Sequence, residues 1–227
     1  MDSLAAQRPT SAPDPSFRGL GFALAPSIFT GPRLASLRAE AEQLVARFTR
    51  DGHRSPDYWS FTSASHGLDV LYRIHRLQEQ PGAALAAGLF SAGPLHDLAA
   101  GVLGGPVRAT VCAMIVKVPW HAAPVPWHRD RVDVGPGTVC NLSLFLDDCD
   151  ADNGCLQFVP GSHRLANDAD VQAVQLTGPV CDLPARAGDV AVHDVRTAHA
   201  SRANGCERPR RSIVVEFAPA GLALESS

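Results

Sequence analysis

After Pro106 the chain breaks into short apolar runs with no helical stretch between them, and this pattern constrains the fold most. Val107–Val118 and Thr138–Leu146 read as strands, and Cys155–Val159, Val190–Val192 and Ile213–Val215 follow, separated by Gly, Pro, Asn and Asp. Parallel strands need long crossovers, usually helices, and no helical pattern fills these intervals. The expected fold is therefore an antiparallel sandwich, jelly roll or barrel rather than a parallel βαβ sheet.

The front half reads differently. From Pro32 onward Leu34, Leu37, Leu44, Val45 and Phe48 repeat at the spacing of one helical face. A second helical stretch is expected over 78–90, and a third from Pro94 through Leu98 and Val102, stopped by Gly104-Gly105-Pro106. No internal repeat or linker divides the chain. Residues 1–16, rich in Ser, Pro and Ala, read as a flexible tail. Residues 17–227 read as one domain, with a helical front half (30–105) packed against a sheet of the β core (107–218).

Composition removes several function classes. Twenty basic residues face 23 acidic ones, a net charge of -3, which argues against nucleic acid as a partner. With 45% hydrophobic and 19% charged residues the chain is an ordinary globular mixture. No apolar run approaches the roughly 18 residues of a membrane span, and Met1–Ala5 lacks the basic start of a secretory signal. A cytoplasmic location is the expectation. The cysteines (Cys112, Cys140, Cys149, Cys155, Cys181, Cys206) form no CxxC pair and read as reduced, structural residues, which gives zinc no support. Among the 20 basic residues only Lys117 is a lysine, and it sits in an apolar run.

One cluster has ligand spacing. In extended chain i and i+2 face the same side, so His128 and Asp130 of His128-Arg129-Asp130 can converge on one point. His199 follows the strand after Gly188-Asp189. Two imidazoles and a carboxylate on neighbouring strands make a facial triad that leaves positions on Fe(II) open; His163 and His193 are further candidate ligands. Such iron needs a co-substrate, and a dicarboxylate chelating it must have its far carboxylate neutralised. Arg210 and Arg211 supply a guanidinium for this, but neighbouring strand residues face opposite ways and only one enters the pocket.

These residues resemble the phytanoyl-CoA dioxygenase family of Fe(II)/2-oxoglutarate oxygenases. Five segments within 107–218 carry the resemblance: Met114–Lys117; Trp127–Asp130; Asn153-Gly154-Cys155-Leu156 running into Val159–His163; Gly188-Asp189 ahead of His199; and Asn204 leading to Pro209-Arg210-Arg211. The resemblance implies a double-stranded β-helix (jelly roll) with His128, Asp130 and His199 as iron ligands. It further implies that Arg210 pairs with the distal carboxylate of 2-oxoglutarate, and that Ser201 and Lys117 also approach the co-substrate. The NGCL and PGSH segments match the family's scaffold beside the site, and His163 reads as a structural residue first and a substrate-facing one second. Where some members carry an aromatic residue, this chain has Ser143. Strand parity independently sets Asn141, Ser143 and Phe145 on one face, opposite Cys140, Leu142, Leu144 and Leu146, so Asn141 and Ser143 are candidate co-substrate contacts.

The implied reaction is decarboxylation of 2-oxoglutarate to succinate and CO2, coupled to hydroxylation of an unactivated C–H bond. Asp130 favours hydroxylation over halogenation, which uses a small residue there; desaturation or cyclisation uses the same ligands. A cupin-like metal protein without 2-oxoglutarate is the other alternative. The expected substrate is a small molecule, a bacterial natural-product or amino-acid-like intermediate, and Trp59, Trp120, Trp127, Arg129 and Arg131 are the candidate contacts at the mouth.

Overall fold

Alternating side chains in the second half produce strands with one face for helices and the other for a cavity. In the computed structural model, which describes residues 15–63, 67–166, 173 and 178–224, these strands form two antiparallel sheets. The elements in chain order are α1 (Pro15–Leu20), β1 (Phe22–Ala25), α2 (Gly31–Thr49), β2 (Tyr58–Thr62), β3 (Asp69–Ile74), α3 (Ala84–Ser91) and α4 (Pro94–Leu103). There follow β4 (Val107–Lys117), β5 (Val125–His128), β6 (Cys140–Phe145), β7 (Leu156–Phe158), β8 (Cys181–Leu183), β9 (Val190–Asp194), β10 (His199–Ser201) and β11 (Arg210–Pro219). The major sheet runs β1-β9-β6-β11-β4-β3-β2 and the minor sheet β5-β10-β7-β8, the jelly-roll arrangement expected.

The helices cover one face of the major sheet. In α2 the buried positions are Leu37, Ala41, Leu44 and Phe48, one stripe of the helix, and Pro32 stands in its first turn. They join Leu95 and Ala99 of α4 and, from the sheet, Met114, Leu142, Leu144, Val192, Ile213 and Val215 in the principal core. A smaller core between the sheets holds Phe22, Phe145, Cys155, Leu156, Phe158 and Ala191, with Phe22 stacked on Phe158 at 4.5 Å. All six cysteines are free thiols; Cys112, Cys140, Cys149 and Cys155 are buried.

The front half departs from the helical expectation at three places. Tyr58–Thr62 and Asp69–Ile74 form β2 and β3, which extend the major sheet beyond β4, and β1 adds its opposite edge. The aromatic and β-branched density of Tyr58-Trp59-Ser60-Phe61-Thr62 suits a pleated, half-buried surface better than a helix. The helix expected over 78–90 begins only at Ala84, because Pro81 lacks an amide hydrogen and Gly82 adopts a left-handed φ of 80°. Residues 1–14 of the expected tail lie outside the described residues, and Pro15 already opens α1. No helix among the described residues is long and apolar enough to cross a membrane.

Candidate metal and co-substrate site

His128 and His199 are direct partners across the β5–β10 pair, so both imidazoles leave the minor sheet on the same side. Their ring centroids are 4.2 Å apart. Asp130 lies just beyond β5, where its amide and that of Arg131 donate to Val195 O and pin the loop to the turn between β9 and β10. Ligand atoms of His128, Asp130 and His199 all fall within 4.8 Å of one another, a spacing that suits one metal ion.

The histidine tautomers are fixed from behind. A carbonyl only accepts, so Nδ1 of His128 donates to Pro126 O (2.8 Å) and Nδ1 of His199 donates to Thr197 O (2.9 Å). Each Nε2 is thereby left with its lone pair toward the centre, as a metal ligand requires. Asp130 Oδ2 is held at 2.8 Å by Asn141 Nδ2 and at 3.1 Å by His193 Nε2. Burial alone would raise the Asp130 carboxyl, but His199, His128 and His193 together hold it well below the usual carboxylate range. Burial drives His199 down to about 3, so it is neutral and free to ligate. Burial also opposes a charge on His128, yet Asp130 beside it and the Pro126 carbonyl raise it overall.

The triad opens into a cavity of about 320 Å³ between the sheets. Its floor is the inward face of the major sheet: Lys117 on β4, Arg210, Ser212 and Val214 on β11, Asn141 and Ser143 on β6, and His193 on β9. The parity expected for β6 is what the register gives, with Cys140, Leu142, Leu144 and Leu146 in the helix-side core. Parity also separates the two arginines. Arg210 is 2% exposed and turns into the cavity, its guanidinium 5.3 Å from the Phe145 ring centroid. Arg211 faces the other way and forms a two-pronged pair with Asp147, both contacts at 2.8 Å. Arg210 Nε and Ser212 Oγ are buried without a hydrogen-bond partner among the described residues. Two adjacent orphaned polar groups on one strand face are a ready receptor for a carboxylate, so the residues present fit a dicarboxylate co-substrate.

Lys117 stands opposite Arg210 across β4 and β11. Its ammonium donates to Ala123 O (2.9 Å) and Arg202 O (2.7 Å), and burial, with Arg210 beside it, pushes its pKa down to about 7. The conformation of the NGCL segment makes this placement possible: a Cβ on Gly154 would lie 2.9 Å from Lys117 Cδ and 2.5 Å from Arg202 O. Asn204 ties the end of β4 to the approach of β11, donating to Lys117 O (3.2 Å) and Arg208 O (2.7 Å). In the PGSH segment Ser162 Oγ accepts from Ala198 N at 2.9 Å, anchoring the residue before His199.

Of the other residues singled out in the sequence, Ser201 and Trp59 line the cavity. Trp120 is 63% exposed and, like Trp127, Arg129 and Arg131, does not contribute to the cavity wall. Arg129 donates to Ala166 O and Ser162 O, and Arg131 pairs with Asp133 and Glu216, so their donors are engaged elsewhere. His163 is buried against Gly21 outside the cavity, consistent with a structural residue. His193 supports Asp130 rather than joining the group of three. Sequence reasoning did not single out Ser212, Phe61, Tyr72 or Arg73, all of which line the cavity. The i+2 relation to Arg210 could have found Ser212; the other three depend on the pairing of β2 and β3 with β4.

The family model described as Phytanoyl-CoA dioxygenase (PhyH) matches residues 17–212. The crystal structure of AviO1 from Streptomyces viridochromogenes Tue57 is 47% identical, with a TM-score of 0.87 over 93% of this chain and 95% of that one. The non-heme alpha ketoglutarate dependent epimerase SnoN from nogalamycin biosynthesis is 26% identical, with a TM-score of 0.74 over 90% of this chain and 80% of its own. Among curated relatives, L-proline trans-4-hydroxylase of Streptomyces griseoviridis is 33% identical over 106 residues. That alignment covers 44% of this chain and 38% of the relative, so the chain spans about two fifths of that relative's length.

Proposed function

The chain belongs to the phytanoyl-CoA dioxygenase (PhyH) family, and from that premise we propose that it is an Fe(II)- and 2-oxoglutarate-dependent dioxygenase. It hydroxylates an unactivated C–H bond of a small molecule, with release of succinate and CO2. The observation that carries this reading is the pairing, in one cavity, of a His128–Asp130–His199 triad with Arg210, whose buried Nε has no hydrogen-bond partner among the described residues.

Fe(II) and 2-oxoglutarate bound together supply the activation of dioxygen and the oxidising power for C–H attack. The chain's own part is placement. His128 and His199 present Nε2 because their Nδ1 hydrogens are committed to backbone carbonyls. Asn141 and His193 hold Asp130 ionised and oriented. Arg210, Ser212 and Lys117 receive the far carboxylate, and the apolar walls keep water from the reacting face. A cupin-like protein without 2-oxoglutarate has no use for a buried Arg210 whose Nε lacks an acceptor among the described residues. The likeness to SnoN, an epimerase, supports hydrogen removal without hydroxylation as the second reading.

Anaerobic addition of Fe(II) and 2-oxoglutarate to the purified protein is expected to produce the visible absorption band of their chelate. Air is then expected to convert 2-oxoglutarate to succinate. Absence of the band in native protein, or turnover that ignores 2-oxoglutarate, would end the proposal. An oxygenated product from a substrate screen separates hydroxylation from the second reading.

A further inference from the structure

The cavity contains a second guanidinium that the iron and co-substrate do not use. Arg73 lines it from β3, with Nε buried and no hydrogen bond or ion pair to its guanidinium among the described residues. The residue is half-buried, and a buried donor left without an acceptor is costly, so Nε calls for an acceptor that arrives with a ligand. Burial pulls Arg73 below its ordinary range, and Asp130 is the carboxylate that acts against this. Asp130, however, is already held by Asn141 and His193 and belongs to the metal triad.

Register separates Arg73 from the co-substrate clamp. Arg73 aligns with Ile115 on β4, whereas Arg210 aligns with Lys117 on that strand from β11, on its other side. The two arginines thus sit two strand spacings apart, about 10 Å across the sheet, with β4 between them. Beside Arg73 the wall is aromatic: its guanidinium lies 5.7 Å from the Trp59 ring centroid, and Tyr72 packs near both Trp59 (6.3 Å) and Phe61 (6.2 Å). Trp59 is 43% exposed, so the aromatic wall reaches the mouth.

We propose that Arg73 anchors the substrate by binding an oxyanion, a carboxylate or a phosphate, while the attached ring or chain lies against Trp59, Phe61 and Tyr72. The inference rests on the oxygenase reading of the triad and adds a substrate class to it: an acid with an apolar body. The acid is held by Arg73 and a C–H bond of the body faces the metal.

The test uses benzoate, phenyl phosphate and uncharged benzamide as probes, with binding followed by ligand-observed NMR. The protein is loaded with 2-oxoglutarate and Zn(II), a redox-silent and diamagnetic substitute for iron, so Arg210 is already occupied. At least one anion is expected to bind about tenfold or more tightly than benzamide. Arg73→Gln erases the preference, Arg73→Lys retains part of it, and the better anion identifies the oxyanion. The proposal is overturned if no anion binds, if benzamide binds equally well, or if Arg73→Gln keeps the preference. It is equally overturned if Arg73→Gln loses 2-oxoglutarate to the extent Arg210→Ala does, since Arg73 would then belong to the co-substrate clamp. Failure of the oxygenase reading is seen separately, as absence of the Fe(II)–2-oxoglutarate band in unsubstituted protein.

Discussion

Lys117 and Arg210 face each other directly across β4 and β11, two buried cations side by side on the cavity floor. Like charges so placed repel, and an anion received there relieves both. Arg210→Ala is therefore expected to weaken 2-oxoglutarate binding by about 2–4 kcal/mol, roughly 30- to 1,000-fold, read by calorimetry on metal-loaded protein. Arg211→Ala is expected to leave that affinity unchanged. It instead lowers stability by about 2–3 kcal/mol in chemical denaturation, because Asp147 loses its two-pronged guanidinium partner and keeps only the amide of residue 211 at 2.9 Å and Arg38 at 3.6 Å.

With 2-oxoglutarate received as proposed, Lys117 is expected to make its binding depend on pH. Burial and Arg210 bring its pKa to about 7, so it is charged below that value and neutral above. A dicarboxylate favours the charged form and raises the pKa when bound. Affinity for 2-oxoglutarate is therefore expected to fall as pH rises above about 7, approaching tenfold per unit until the raised pKa is reached. Binding above pH 7 takes up a proton, measurable as a buffer-dependent heat. Lys117→Met is expected to bind more weakly and to remove this dependence.

Asn141 and His193 both hold Asp130 Oδ2, the carboxylate of the proposed metal site. Asn141→Ala removes the 2.8 Å donor to Oδ2, and iron affinity is expected to fall about 10- to 100-fold while the circular dichroism spectrum stays that of the folded protein. His193→Phe is expected to act in the same direction, since Asp130 loses its 3.1 Å imidazole donor. Competition with a chelator of known affinity reads both. Unchanged iron affinity in each variant would mean that Asp130 needs no such support.

Two glycines separate backbone strain from steric overlap. At Gly188, with φ of 94°, a Cβ would stand 1.9 Å from the carbonyl oxygen of Phe29, an overlap only backbone movement can relieve. Gly188→Ala is expected to cost about 3 kcal/mol or more. Gly104 has φ of 79° and open space around a Cβ, so Gly104→Ala is expected to cost only about 1–2 kcal/mol. Denaturant midpoints of the two variants give the comparison.

Local periodicity made much of this arrangement legible. Alternation in Cys140–Leu146 set Asn141 and Ser143 on the cavity face, and the same two-residue period predicted that one of Arg210 and Arg211 turns inward. His128 and Asp130 stood out through their i, i+2 spacing and His199 through its place after Gly188-Asp189; His128 ends β5 and His199 opens β10, whereas Asp130 sits in a bend just beyond β5 rather than in extended chain. The aromatic side of the cavity was harder to read. Nothing near Arg73 in Asp69-Val70-Leu71-Tyr72-Arg73-Ile74 distinguishes a cavity cation from a solvated one; only the pairing of Arg73 with Ile115 does. Residue type alone marks Trp120, Trp127, Arg129 and Arg131 as an aromatic and arginine rim, but none of them lines the cavity. The chain around Asp130 turns onto Val195, and backbone carbonyls and nearby carboxylates take up both arginines.

The alternation of β11 carries a consequence for how this chain can vary. Ile213 and Val215 pack against the helices on the same beat that turns Arg210, Ser212 and Val214 toward the cavity. A single residue inserted between Ser212 and Ile213 puts the two sets out of phase, sending either the clamp or the apolar pair to the wrong face. Foldedness and co-substrate affinity are thus phase-locked over this stretch, and the strand tolerates an odd step only where a bulge absorbs it, as the register shift between Glu216 and Phe217 does.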